Sequence, residues 1–147
     1  MEVNCMAKVE QSITINVPVE KVFSYTSDPI NQLEWLPSIT DVRDVTGEGV
    51  GKRFSWTYKM MGMSFKGESE FAEYIPNERI VLKTTGGILS TWNWTYKPQA
   101  GGTLVNLVVE YTVPVPVLGK VAEKLILRQN EREAALSMTN LKERLEG

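Results

Sequence analysis

No histidine occurs among the 147 residues of this chain, and that absence narrows the chemistry open to it. Histidine is the side chain whose ordinary pKa suits proton transfer near neutrality. A general acid or base here would be a carboxylate with a raised pKa, a lysine with a lowered one, or a tyrosine. A Ser-His-Asp triad is excluded on the same ground. So are the ligands of a typical zinc site, because the lone cysteine, Cys5, has no histidine to act with and no second cysteine to bridge. No glycine-rich phosphate loop precedes a helix-like segment, and no cofactor or metal is expected.

The carboxylates on strand-like segments face the wrong way by parity. Glu68 and Glu70 share the side of Lys66, and Glu110 shares that of Asn106, so all three read as solvated. Tyr58, Tyr96 and Tyr111 point inward by the same count and could donate to a ligand carbonyl, although a satisfied core tyrosine is the plainer role. Arg128 and Arg132, in the polar run Arg128-Gln129-Asn130-Glu131-Arg132-Glu133, could reach a cavity to hold a carboxylate or phosphate; surface ion pairs are the plainer role for them. No nucleophile constellation is visible.

The elements that carry these side chains follow from period and punctuation. Val9, Ile13, Ile15 and Val17 alternate with polar residues over Val9–Val17, which reads as a half-buried strand. Pro18 suits the first position of a short helix running to about Ser27. Asp28-Pro29 repeats a cap-then-proline start, so Ile30–Leu36 reads as a second short helix ended by Pro37. Six strand-like segments follow: Ile39–Val45, Arg53–Met60, Met63–Tyr74, Arg79–Thr85, Leu89–Lys97 and Thr103–Val113. Gly47 to Gly51, Met61-Gly62, Pro76-Asn77, Gly86-Gly87 and Gly101-Gly102 separate them, the pattern of an antiparallel meander. The last segment, Val117–Glu146, reads as one long helix. At about 100° per residue it carries two apolar faces: Leu118, Val121, Ala122 and Leu125 on one, and Leu127, Ala134, Met138, Leu141 and Leu145 roughly opposite. The second face is expected to be core. The first could cover a cavity mouth, meet a second subunit, or simply continue the core.

One side of the sheet is expected to be aromatic. Phe54, Trp56, Tyr58 and Met60 share a face, as do Trp92, Trp94 and Tyr96, and Val105, Leu107, Val109 and Tyr111. Met63, Phe65 and Phe71 share theirs with the small Gly67 and Ser69, which leaves room. Indole and phenol tips need hydrogen-bond partners or water, so an aromatic pocket for an apolar small molecule is one reading of these side chains and a filled core is the other.

The totals bound the rest. With 16 Lys+Arg against 18 Asp+Glu the net charge is −2, and no basic block suggests nucleic acid as a partner. No apolar run is long enough to span a bilayer and no secretory segment is visible, so no membrane insertion and a cytoplasmic location are expected. The length fits one domain. Residues 1–6 read as a flexible N-terminal extension, with Met1 and Met6 both possible starts, and residues 7–147 as the domain.

The order of elements resembles the helix-grip fold of the START-like (SRPBCC) superfamily, and within it the polyketide cyclase/dehydrase-like group. The residues carrying the resemblance are Ile15-Asn16-Val17-Pro18-Val19-Glu20-Lys21-Val22-Phe23, Asp28-Pro29, Trp35-Leu36-Pro37, Gly49-Val50-Gly51-Lys52-Arg53-Phe54, Glu73-Tyr74-Ile75-Pro76-Asn77-Glu78-Arg79-Ile80 and Gly101-Gly102-Thr103. These are strand starts, turns and helix starts, specific for a fold and not for a reaction. The resemblance implies an α+β fold in which a curved antiparallel sheet of about seven strands wraps a long C-terminal helix, with two short helices after the first strand. It also implies lipid-, quinone- or polyketide-like ligands.

The expected function is therefore binding or carrying of a hydrophobic small molecule between sheet and helix. Trp56, Tyr58, Phe71, Trp92, Trp94, Tyr111, Leu118 and Leu125 are its expected lining, and residues 117–126 with the Gly86-Gly87 turn its expected route of access. The alternatives are a cyclase/dehydratase-type enzyme, which would need an ionisable side chain inside the pocket, and a module that forms a homodimer or meets a partner through the first half of the last helix.

Overall fold

The computed structural model describes residues 5–60, 62–85, 89–113 and 115–147; side chains are described for these except at 5, 6, 60, 85, 113, 115–123 and 126. β1 (Cys5–Ile15) leads into α1 (Val19–Thr26), a short 3-10 turn (Pro29–Asn31) and α2 (Gln32–Trp35). Six strands follow, β2 (Ile39–Thr46), β3 (Arg53–Met60), β4 (Met63–Ile75), β5 (Arg79–Thr85), β6 (Ser90–Gln99) and β7 (Gly102–Val113), and then α3 (Val115–Glu146). The seven strands form one sheet in the order β1-β7-β6-β5-β4-β3-β2, every neighbouring pair antiparallel. This is the expected α+β helix-grip fold.

The starts and stops have local causes. Pro18 stands just before α1 rather than at its first helical position, and its carbonyl accepts from the N–H of Lys21 and Val22. The Asp28 carboxylate accepts from the Ile30 N–H at 3.1 Å, with Pro29 next to it, so the start expected at Asp28-Pro29 opens as a 3-10 turn before α2. β1 begins pairing at Cys5 opposite Val113, two residues before the expected start of the domain. In β4 the period of two breaks between Phe71 and Glu73, where a bulge lets Phe71 and Tyr74 both face the core.

The inward faces of all seven strands, with α1 and α2, surround a core containing Ile15, Val22, Phe23, Trp35, Phe71, Ile80, Trp94 and Val105; Met138 and Leu141 of α3 close it. Tight aromatic packing holds the end of this core near α1. Phe23 meets the Tyr74 and Tyr96 rings edge-on at 5.3 and 5.1 Å, and the Tyr96 hydroxyl is 2.6 Å from that of Thr26. A smaller cluster joins Val9 and Tyr111 to Leu127 and Ala134 of α3. The C-terminal end of α3 is bonded to the end of β1 and the residue beyond it: Lys142 Nζ donates to the Thr14 carbonyl at 2.7 Å, and the Asn16 N–H donates to the Glu146 carboxylate at 2.8 Å. No helix among the described residues is long and apolar enough to cross a membrane.

Candidate functional site

All seven strands, α2 and α3 contribute to one cavity of about 110 Å³ between the sheet and the helix. Its apolar walls come from Val9, Ile39, Phe54, Leu82, Leu107 and Val109, with the indoles of Trp35, Trp56 and Trp92 among them. An apolar cavity of roughly 150 Å³ takes one benzene molecule, so this one is scaled to about a single ring.

The tryptophans show how much of the wall is satisfied. Trp56 Nε1 donates to Ser69 Oγ at 2.8 Å, and Trp92 Nε1 donates to Ser90 Oγ at 3.0 Å. The small Ser69 thus leaves space between the aromatics and also caps one of them. Among the described residues the buried Nε1 of Trp35, 1% exposed, has no hydrogen-bond partner, nor has the Oγ of Ser137, 2% exposed.

Among the described lining residues Glu133 is the one carboxylate, and none is a lysine or arginine. The Tyr58 hydroxyl donates to one of its oxygens and the Ser38 hydroxyl to the other. Burial pushes the Glu133 pKa above its ordinary 4.5, and the hydrogen bonds from Tyr58 and Ser38 pull it partly back. Burial, with the Glu133 charge behind it, pushes the Tyr58 phenol well above its usual range, so that hydroxyl stays protonated and remains a donor. A carboxylate has about four acceptor positions, so Glu133 retains lone pairs for a further donor. Among the described residues no group of three or more His, Cys, Asp or Glu side chains is placed to hold a metal ion.

The eight residues expected to line the pocket are placed in three ways. Trp56, Tyr58, Trp92 and Tyr111 line the cavity. Phe71 and Trp94 also face inward but lie in the packed core outside the lining: Phe71 packs against Phe54 and Tyr74, and Trp94 meets Trp35 edge-on at 5.6 Å and stacks on Tyr96. Strand parity sets the side on which a residue points but not its depth along the strand. Leu125 is 49% exposed and away from the lining, because the turn of α3 that contacts the sheet is set further along, by Ala134, Met138 and Leu141. The side chain of Leu118 lies outside the described residues, as does most of the expected access route through 117–126 and Gly86-Gly87. Arg128 and Arg132 are exposed, as are Glu68, Glu70 and Glu110. Glu133, Trp35 and Ser137 were not among the expected site residues. A signal for Glu133 does exist: it lies four residues before Ser137 and eight before Leu141, on the edge of the core stripe.

A sheet gripping a long helix around an aromatic-walled cavity defines the class as START-like. The chain belongs to the family described as polyketide cyclase/dehydrase and lipid transport, which it matches over residues 6–146. It matches no protein of curated function in sequence. Among solved structures it is similar to the protein TTHA0849 of Thermus thermophilus, with TM-score 0.83 and 22% identity over 95% of this chain and 97% of that one. It is also similar to the Zhui aromatase/cyclase of a Streptomyces species, with TM-score 0.78 and 15% identity over 97% and 94% of the two chains. At these identities the likeness speaks for the fold.

Proposed function

We propose that this protein binds a small, largely apolar, ring-bearing molecule in the cavity between the sheet and α3, with Tyr58 and Glu133 holding its polar group. The observation that carries the reading is the cavity itself, walled by apolar side chains and holding a buried carboxylate–phenol pair. Burial of a ring at about 25 cal/mol per Å² supplies the attraction, and the pair supplies orientation. Family membership supports a hydrophobic ligand. Native mass spectrometry of freshly purified protein tests it. A co-purified small mass that is lost in Trp92→Ala supports the reading. A bare polypeptide that also binds nothing from a panel of phenols, quinones and fatty acids sinks it.

A second reading has one specific observation behind it: the cavity does hold an ionisable side chain. Glu133, with its raised pKa, could take a proton from the carbon next to a ligand carbonyl and return it to a departing hydroxyl, releasing water, as a cyclase/dehydratase-type enzyme requires. Incubating the protein with a β-hydroxyketone and following loss of one water by mass spectrometry checks it. Activity that survives Glu133→Gln unchanged counts against this role.

A further inference from the structure

We infer that the ligand is held at two points, by a hydroxyl at Glu133 and by a carbonyl oxygen at Trp35 and Ser137, so that the occupant is a one-ring hydroxyaryl ketone or a close relative. This rests on the binding function proposed above and adds the chemistry of the guest. Trp35 and Ser137 both line the cavity, both are almost wholly buried, and each carries a donor that no described group satisfies. Buried donors are normally paired, and two unpaired ones in one wall mark the position of an acceptor that the protein does not supply. Both stand where α2 meets α3: they line the same cavity, and Asn140, three residues after Ser137 on α3, donates its side-chain N–H to the main-chain carbonyl of Trp35 at 3.3 Å. An indole N–H donates only, and a hydroxyl can donate, so the missing partner is an acceptor such as a ketone oxygen.

The other end has the opposite polarity. Above its own pKa, Glu133 only accepts, and with Tyr58 and Ser38 already donating to it, a ligand group there must donate, as a hydroxyl does. Glu133 and Ser137 are one helical turn apart, about 6 Å along the axis. That is the scale of one ring with substituents at opposite ends, and a cavity of about 110 Å³, below the roughly 150 Å³ that takes one benzene, leaves no room for a second ring.

Calorimetric titration of the full chain with 4-hydroxyacetophenone, 4-ethylphenol and acetophenone separates the two ends. The hydroxyketone should bind at least about tenfold more tightly than either analogue lacking one polar group. Ser137→Ala and Trp35→Phe should each lower the ratio of hydroxyketone affinity to 4-ethylphenol affinity at least about threefold, the ratio removing any loss of wall contact common to both compounds. Ser137→Ala keeps the test valid should Trp35→Phe fail to fold. In nitrogen-15 NMR spectra, the indole N–H of Trp35, identified by its loss in Trp35→Phe, should shift with the ketones and not with 4-ethylphenol. Equal affinity for hydroxyketone and 4-ethylphenol, or a still Trp35 resonance, overturns the inference and leaves water as the partner of these donors. If none of the three compounds binds but toluene, a bare one-ring probe, does, this inference falls and the binding cavity stands. If that probe is excluded too, both fall.

Discussion

At the scale of single residues the pocket turns on Glu133. Its folded-state pKa is raised above 4.5, chiefly by burial. The stability associated with this group is therefore fully present below about pH 4.5 and is lost as pH rises through the elevated folded value. Glu133→Gln cannot titrate, so the melting temperature of the variant minus that of the wild type should increase from about pH 4.5 towards neutrality. Thermal melts across that range check this, and a flat difference would show that the carboxyl is not shifted. Tyr58 was legible beforehand because strand parity aims it inward. Glu133 was not, because it closes a run of six polar residues whose local look is that of a solvated face. Only the packing of Ala134, Met138 and Leu141 beside it turns that edge of the helix inward. Trp35 was hidden for a related reason: a residue on a short helix has no parity to read.

At the scale of elements, most boundaries were written in the chain. Alternation marks the strands, and Gly or Asn occupies turn positions with positive φ, as at Asn77 and Gly101. The bulge at Ala72 was not legible, since nothing in Phe71-Ala72-Glu73-Tyr74 distinguishes an extra residue from a regular strand. Two predictions belong here. Leu141, 0% exposed, and Leu136, 50% exposed, are both leucines on α3. Leu141→Ala should cost about 2–5 kcal/mol of unfolding free energy, whereas Leu136→Ala should change it by less than about 0.5 kcal/mol; urea titrations compare them. At the start of β7, a Cβ on Gly102 would lie 2.6 Å from the Ile15 carbonyl oxygen, a backbone atom that cannot swing aside. Gly102→Ala should therefore lower stability by about 1–3 kcal/mol, the usual range for overpacking. A melting temperature unchanged from wild type would show that β1 can yield at this point.

At the scale of the whole molecule, the amount of aromatic volume aimed at one face was readable, and so was the presence of small residues among it. How that volume divides between filled core and open space was not, because it depends on where α3 lands. Trp94 and Phe71 fill, while Trp56 and Trp92 border the gap. If the gap exists to be occupied, filling it from within should remove binding and spare the fold. Ala134 is half-buried on the cavity wall. Ala134→Leu should keep the melting temperature at or above that of the wild type while ligand affinity falls at least about tenfold. Retained affinity with a lowered melting temperature would mean that the added side chain is overpacking a closed core.

The two bonds that tie Lys142 and Glu146 to the end of β1 and the residue beyond it make α3 a beam clamped at one end. Glu133 stands 13 residues before Glu146, about 20 Å out along that beam. A shift at that joint is passed along the helix to the turn where Tyr58 and Ser38 hold Glu133. Sequence drift at this remote joint, among residues that touch no ligand, could retune what the protein accepts.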